Sequence, residues 1–264
     1  GQDTATCSTR LNRNLSRVCS SNVTRMSFEG WNEYAVALRG PVVPALLESY
    51  RTIGGSVEES HLDHLRTGAF AADAGIALDY WLCNPNLLQG AGGPLGWRGA
   101  NSVTDRLAQM IADAKSSIAI TSLYFKPVEP LMAALVAAAR RGVDVEIHHS
   151  HRDALPATEL AWIAAAAHYR PLLRAGVRVH ENRHGEHSKI VVTDGTSVAF
   201  GSYNFEHAAH DRLAEAMLAS RDPAAVQPAL AIFEELRQHP DNVLVTSQML
   251  RDLPARLRVK RVIL

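Results

Sequence analysis

The 264-residue chain is predicted to form an α/β fold of layered helices and sheet. From residue 101 onward, segments with helical periodicity alternate with short apolar segments that are typical of strands. Hydrophobic residues make up 47% of the sequence, which is enough to bury a sizeable core. Repeated helix and strand units of this kind predict a layered domain, and we expect a largely parallel sheet.

The first unit begins near residue 102. Ser102 and Asp105 match the spacing of a capping box at the start of a helix. One face of this helix carries three apolar residues, Leu107, Ile111 and Ala114. A strand is predicted over residues 118–122, because this short run is apolar and β-branched at alternate positions.

Two further units follow in the same order, helix and then strand. Their predicted bounds are 130–141 with 143–149, and 156–175 with 177–181. In each unit a glycine, Gly142 or Gly176, stands between the helix and the strand, where a helix commonly ends.

The pattern then changes to a predicted hairpin. Two apolar strand segments, 189–193 and 198–200, are separated by Asp194 and Gly195, a pair typical of tight turns. A helix is predicted over 223–237. Residues 87–100 are rich in glycine and lack periodicity, so we interpret them as a linker.

Composition limits the classes of function. Lys plus Arg and Asp plus Glu are both 27, so the chain has no net charge to attract a nucleic-acid backbone. A nucleic-acid partner is therefore less favoured. The apolar runs are too short or too interrupted to span a bilayer, and we expect at most peripheral contact with a membrane.

The most informative motif begins at His187. It reads His187-Ser188-Lys189, then Asp194 after four residues, then Gly201-Ser202-Tyr203-Asn204. Alternation along a strand predicts that His187 and Lys189 share one face, where both can reach one phosphate. Neutral His187 can attack phosphorus, while Lys189 and the amide of Asn204 stabilise the non-bridging oxygens. This chemistry needs no metal or other cofactor. For Asp194 at the turn, a structural role and a catalytic role are equally open.

The spacing resembles the HxK(x)4D(x)6GSxN signature of the phospholipase D superfamily, position for position. The resemblance implies a layered α/β/α sandwich, duplicated about a pseudo-two-fold axis, and phosphodiester chemistry through a covalent phosphohistidine on His187. It implies catalytic roles for His187, Lys189 and Asp194, and substrate contacts for Ser202 and Asn204. Members of the family carry an acid after this motif, and Glu215 is expected to accept the Nδ1 proton of His187.

Part of the motif recurs earlier in the chain. Ser202, Asn204 and Glu215 each have a counterpart 182 positions earlier, namely Ser20, Asn22 and Glu33. These three are further candidates for substrate binding. At the same offset, His187 and Lys189 correspond to Ala5 and Cys7, so the first HxK set is absent. The sequence therefore predicts a duplicated architecture in which the N-terminal half is incomplete.

This interpretation divides the chain into three parts. Residues 1–86 are the remnant of a first phospholipase D-like half, residues 87–100 the linker, and residues 101–264 the complete second half. Because the family mechanism uses two histidines, the second is expected from an N-terminal fragment of the same protein or from a second copy in a homodimer.

The function favoured by the sequence is hydrolysis or transfer of a phospholipid headgroup. One alternative is a nuclease of the same superfamily, for which Lys126, Arg183 and Arg212 could supply a basic groove. Another is a catalytically inactive module that retains a phosphate pocket, because the first HxK set is missing.

Two smaller expectations concern metals and location. His148, His149 and His151 are close in sequence but do not match a standard ligand spacing, so we expect no metal site. His149 and His151 are expected to line the pocket. The start at Gly1 rather than Met leads us to expect a processed protein, secreted or extracytoplasmic.

Overall fold

A computed structural model describes residues 31–36, 38, 42–60, 63, 76–84, 101–155, 159–253 and 257. Within these residues, eight strands form one sheet. Their bounds are β1 Asp79–Cys83, β2 Ser117–Ser122, β3 Asp144–Ser150, β4 Arg178–Asn182, β5 Ile190–Thr193, β6 Ser197–Gly201, β7 Glu215–Ser220 and β8 Asn242–Leu244. Across the sheet the order is β1-β7-β6-β5-β2-β3-β4-β8.

Seven α-helices accompany the sheet in the described part of the chain. They are α1 Val42–Thr52, α2 Ser102–Asp113, α3 Glu129–Arg140, α4 Glu159–Ala175, α5 His207–Asp211, α6 Pro223–Gln238 and α7 Ser247–Asp252. The sequence predicted α2, α3, α4 and α6 to within a few residues. The short helices α5 and α7 were not predicted, because they are too short to show a helical period.

The sheet is mixed, so the expectation of a largely parallel sheet is wrong. Only β2, β3 and β4 run parallel to one another. The remaining neighbours pair antiparallel. For β5 and β6 the physical reason is their connection of three residues, 194–196, which leaves no room for the crossover that parallel pairing needs.

The layers of the fold follow from alternation along the strands. In β2, Ile118 and Ile120 point into one apolar core, while Ala119 points into another. Helices α2, α3 and α4 cover the first core, and α6 covers the second together with Tyr34 and Val36. The predicted α/β/α sandwich is therefore confirmed.

Helices α3 and α4 end at the glycines that the sequence predicts. Gly142 and Gly176 have φ of 90° and 93°, the left-handed conformation that ends α3 and α4 as predicted. The start of α2 differs from the prediction. The side chain of Asn101 caps it by accepting from the backbone N–H groups of Val103 and Thr104, so Ser102 is inside the helix and not its cap.

The first part of the chain contributes directly to this fold. Strand β1, assigned from sequence to the first half, pairs antiparallel with β7 as an edge of the sheet. The pairing places β1 in the same sheet as the strands of residues 101–264. The proposed linker 87–100 lies outside the described residues. Among the described helices, none has the length and apolar character needed to cross a bilayer.

Candidate active site

The HxK residues lie in the segment that leads into β5. Ser188 fixes this segment, because its backbone N–H donates to Glu186 at 2.9 Å and its hydroxyl oxygen lies 2.7 Å from that of Thr121 on β2. Thr121 also accepts from the N–H of Ile190 at 2.9 Å. His187 and Lys189, on either side of Ser188, both line one cavity, as the sequence predicted.

A carboxylate from the first part of the chain holds His187. Oε1 of Glu33 lies 2.7 Å from Nδ1 of the imidazole. The segment that carries Glu33 is tied to the motif through the backbone, since Asn32 N–H donates to Gly185 and His187 N–H donates to Asn32. The Trp31 ring packs 5.3 Å from the His187 ring, measured between centroids.

This contact corrects one prediction and adds a role. Glu215 was expected to accept the Nδ1 proton of His187, but Glu33 occupies that position. The sequence assigned Glu33 to substrate binding, whereas in the structure its carboxylate contacts His187. A carboxylate at Nδ1 fixes the tautomer, so that Nε2 carries the lone pair. The signal in the sequence was the constant offset between Glu33 and Glu215, which marks the two as counterparts.

Lys189 is a buried cation beside His187. Its Nζ donates to the backbone carbonyl of His187 at 2.5 Å, which brings the ammonium next to the imidazole. Burial lowers the pKa of Lys189 to about 8, although Glu33 and Glu186 favour the charged form. Burial also lowers the pKa of His187, and the charge of Lys189 acts in the same direction. Both effects favour the neutral imidazole, whereas Glu33 favours the charged form.

Ser202, Asn204 and Glu215 lie on the wall of the same cavity. The Ser202 hydroxyl donates to a carboxylate oxygen of Glu215 and accepts from the N–H of Ala216 at 3.0 Å. Glu215 is 4% exposed and begins β7. Burial raises its pKa to about 7, and the hydrogen bond from Ser202 only partly offsets this. Oδ1 of Asn204 is buried and has no partner among the described residues.

Asp194 lies away from this cavity, and its predicted catalytic role is not supported. Its carboxylate accepts from the backbone N–H groups of Lys115, Ser116 and Ser117 at 2.7–3.0 Å. Burial alone would raise the pKa of Asp194, but these backbone donors outweigh it and lower the pKa to about 2. Asp194 lies in the turn between β5 and β6 with φ of 55°. Its side chain links this turn to the residues at the start of β2, so its role is structural.

The cavity has a volume of about 700 Å³ and a mixed wall. The polar groups are Glu33, His187, Lys189, Ser202, Asn204 and Glu215. The apolar wall includes Val36, Leu38, Leu46, Tyr80, Met217 and Leu218. Such a site can hold an anionic group against the lysine and amide while it shields an apolar group from water.

Other predicted residues fall elsewhere. Ser20 and Asn22 lie outside the described residues, so their roles stay predictions. His149 does not line the cavity as expected, but is buried against the hydroxyl of Tyr169 at 2.5 Å. His151 is also absent from the cavity wall, and its ring accepts from the N–H of Asp153 at 3.1 Å.

The fold is a mixed α/β sheet between layers of helices, and the HxK residues line a cavity in it. Residues 107–237 match the family model described as cardiolipin synthase, PLD-like domain. The chain belongs to the phospholipase D superfamily through this domain.

Curated relatives agree with this assignment. A cardiolipin synthase of Halalkalibacterium halodurans is 40% identical over 98 residues, which are 37% of this chain and 19% of that protein. A probable cardiolipin synthase of Bacillus subtilis is 29% identical over 143 residues, which are 54% of this chain and 28% of that protein. The chain thus spans only about a fifth to a quarter of the length of these relatives.

One solved structure resembles nearly the whole chain. The phosphatidylserine synthase of Haemophilus influenzae superposes with a TM-score of 0.66, covering 92% of this chain and 65% of that one, at 12% sequence identity. At this identity the likeness concerns the fold.

Proposed function

We propose that this chain carries the reactive half-site of a phosphatidyl transferase, in which His187 attacks the phosphodiester of a phospholipid. The observation that carries the proposal is the contact between Glu33 and Nδ1 of His187, beside the ammonium of Lys189. A neutral, oriented imidazole next to a buried cation suits nucleophilic attack on an anionic phosphorus centre.

The first step forms a bond between phosphorus and Nε2 of His187 and breaks the bond between phosphorus and the headgroup oxygen. Nδ1 keeps its proton and donates a hydrogen bond to Glu33. The carboxylate thereby stabilises the positive charge of the phosphohistidine. Lys189 and the Asn204 amide stabilise the non-bridging oxygens. In the second step an acceptor hydroxyl attacks phosphorus and gives its proton to the group that protonated the headgroup oxygen, the N–P bond breaks, and neutral His187 is restored.

The departing headgroup oxygen needs a proton, and a second histidine is the natural donor. Among the described residues, His187 is the only histidine on the cavity wall. Glu215 corresponds to Glu33 by position, and its carboxylate lies on the same wall. We infer that the second histidine comes from another segment of the protein or from a second copy of it. Glu215 would accept a hydrogen bond from Nδ1 of that histidine.

A phospholipid fits the mixed wall of the cavity. The lysine and amide suit the phosphate, and the apolar residues suit acyl chains. The balanced charge of 27 basic and 27 acidic residues does not favour a nucleic-acid substrate. The relatives are named as synthases, which favours an alcohol over water as the acceptor.

The test uses the protein in mixed micelles of phosphatidylglycerol, with release of glycerol and formation of cardiolipin measured together. We expect turnover by the wild type and loss of at least about 10³-fold in His187→Ala. His184→Ala is the matched control, because His184 is exposed and absent from the cavity wall. The solution mass of the active preparation identifies a second fragment or a dimer.

Two outcomes contradict the proposal. Cleavage of single-stranded DNA that weakens with salt, without lipid turnover, identifies a nuclease. Phosphate binding without turnover of either substrate identifies an inactive module. A phosphohistidine mapped to His187 by mass spectrometry at alkaline pH, where the N–P bond survives, supports the covalent step.

A further inference from the structure

Three metal-ligating side chains meet beneath α6, outside the cavity described above. Glu146 and His148 lie on the same face of β3, two residues apart. His180 lies on β4, in direct register with His148 across the parallel pair. The two imidazole rings stack with centroids 4.6 Å apart and planes inclined by 10°.

The ligand atoms of this cluster lie close together, and the two imidazole nitrogens have no hydrogen-bond partner in the described part of the chain. One oxygen of Glu146 and one nitrogen of each histidine all lie within 4.8 Å of one another. Nε2 of His148 and Nε2 of His180 are both buried and have no hydrogen-bond partner among the described residues. Buried polar atoms without a partner are rare, and an ion or ordered water commonly accounts for them.

The spacing suits a shared cation better than a hydrogen bond. Oε2 of Glu146 lies 3.8 Å from Nε2 of His148, which is too long for a hydrogen bond. Two ligands at zinc distances in a tetrahedral site are about 3.4 Å apart, so the ligand atoms, which lie within 4.8 Å of one another, must move inward and the stacked rings must turn so that their nitrogens converge. His148 is fully buried, so the water that would otherwise satisfy its Nε2 must also be enclosed.

Outer partners hold the ligands in place. The Asn242 side chain contacts Nδ1 of His148 at 3.0 Å, on the side of the ring away from the cluster. The amide nitrogen of Asn242 faces Nδ1 in this structure, and Oδ1 of Asn242 has no hydrogen-bond partner in the described part of the chain. Rotation of the amide by 180° would bring Oδ1 to Nδ1, place the proton of His148 there and leave Nε2 free to bind a metal. Phe233 of α6 packs 5.8 Å from the His148 ring.

Two arginines oppose a cation at this position. Arg237 contacts both oxygens of Glu146 at 2.5–3.2 Å, and Arg178 contacts Oε2 at 3.2 Å. Their side chains are each 42% exposed, so they can turn toward solvent when a metal binds. The arginines should therefore weaken metal binding without preventing it.

We propose that Glu146, His148 and His180 bind a divalent transition metal of the zinc class, with water as a fourth ligand. Two imidazoles and one carboxylate are a ligand set that zinc accepts, and tetrahedral geometry leaves one position for water. The metal links β3 to β4 in a structural role. These strands end at Ser150 and Asn182, which hold the segment before His187 through contacts with Glu186 and Gly185.

The test is a titration of the untagged, chelator-treated protein with Zn²⁺ against a chromophoric competitor. We expect one equivalent to bind per chain, and the visible absorption of bound Co²⁺ to show four-coordinate intensity. His180→Gln should weaken binding by at least about tenfold, since loss of outer contacts alone costs that much. Arg237→Gln should strengthen binding roughly tenfold, because it removes a positive charge from Glu146.

A second histidine pair serves as the control. His184 and His239 have ring centroids 6.3 Å apart near the surface and could hold zinc adventitiously. The double variant His184→Ala/His239→Ala should keep full affinity. Loss of binding in this variant overturns the proposal, as does unchanged binding in His180→Gln or in Arg237→Gln. Circular dichroism of each metal-free variant confirms that the fold is retained, so that a change in affinity reports on the site.

Discussion

Glu33 and His187 are separated by 154 positions in the chain, and their side chains meet at 2.7 Å. The backbone brings them together, because Asn32 donates a hydrogen bond to Gly185 and accepts one from the N–H of His187. The carboxylate at Nδ1 of His187 thus comes from the segment that the sequence assigned to the first half.

The first prediction concerns this carboxylate. In Glu33→Gln we expect kcat to fall about 10²–10⁴-fold with little change in KM, because an amide can stabilise the wrong tautomer of His187 and cannot balance its developing charge. Steady-state kinetics in micelles measures both constants. Glu33→Asp should recover part of the loss, since it retains the charge.

The matched control for that change is Glu48→Gln, on the exposed face of α1 and outside the cavity wall. It should leave kcat unaltered. Equal activity in Glu33→Gln and wild type would show that the contact with His187 has no part in turnover.

The second prediction concerns the pH dependence. Lys189 acts as a cation, and burial lowers its pKa to about 8, so kcat/KM should fall as pH rises through that value. His187 must be neutral, and burial lowers its pKa, so the acid limb should lie below the usual pKa of an imidazole. The expected optimum is near neutral pH. A profile of kcat/KM from pH 5 to 10 measures both limbs.

Lys189→Arg tests which group causes the alkaline limb. The guanidinium stays protonated throughout this range, so the limb near pH 8 should disappear even though the larger head lowers the maximum rate. A limb that persists at the same pH in this variant would have to belong to another residue.

Much of the second half could be predicted from the sequence, because its signals are local. Gly142 and Gly176 end helices where expected, and the turn at Asp194 joins two strands as expected. The pairing of β1 with β7 could not be predicted, because no local pattern specifies which distant strand completes the edge of a sheet.

In the site, too, the residues that share one local segment could be predicted, and the contacts between distant segments could not. The motif identified His187 and Lys189, since both lie within three positions on one segment. The partner of His187 was assigned to Glu215, but the contact is made by Glu33, which backbone hydrogen bonds between distant segments bring to the imidazole. Likewise His148 and His180 carry no spacing signal, because register between neighbouring strands brings them together.

The third prediction separates a structural role of Asp194 from a catalytic one. Asp194→Ala should lower the free energy of unfolding by about 2–3 kcal/mol, since it removes the acceptor of three backbone N–H groups and places alanine at positive φ. Asp194→Asn should cost less, because asparagine tolerates this φ and keeps one acceptor oxygen. Urea denaturation measures the stability of both.

Turnover completes that test. At a temperature where both variants are folded, kcat should stay within a few-fold of the wild type, because Asp194 is not on the cavity wall. A large loss of kcat in Asp194→Asn with normal stability would restore the catalytic role that the motif first indicated.

The last prediction concerns Glu186, a fully buried carboxyl next to His187 in the chain. Burial raises its pKa to about 7, although it accepts hydrogen bonds from the N–H and hydroxyl of Ser188. For a carboxyl whose pKa is raised by folding, the stabilising contribution is complete below the pKa of the unfolded chain, near 4.5, and is lost as pH rises through the folded value. At 1.36 kcal/mol per unit, this loss amounts to about 3 kcal/mol.

Glu186→Gln has no charge to bury, so its stability relative to the wild type should increase by up to this amount between pH 4.5 and 8. Urea denaturation across that range measures the difference in free energy of unfolding between the variant and the wild type. Other groups, including Glu215, titrate in both proteins, so their contributions cancel. The exposed Glu129→Gln is the control and should show a constant difference. A difference between Glu186→Gln and the wild type that does not vary with pH would mean that Glu186 ionises equally easily in the folded and unfolded chain, and that its hydrogen bonds from Ser188 fully compensate for its burial.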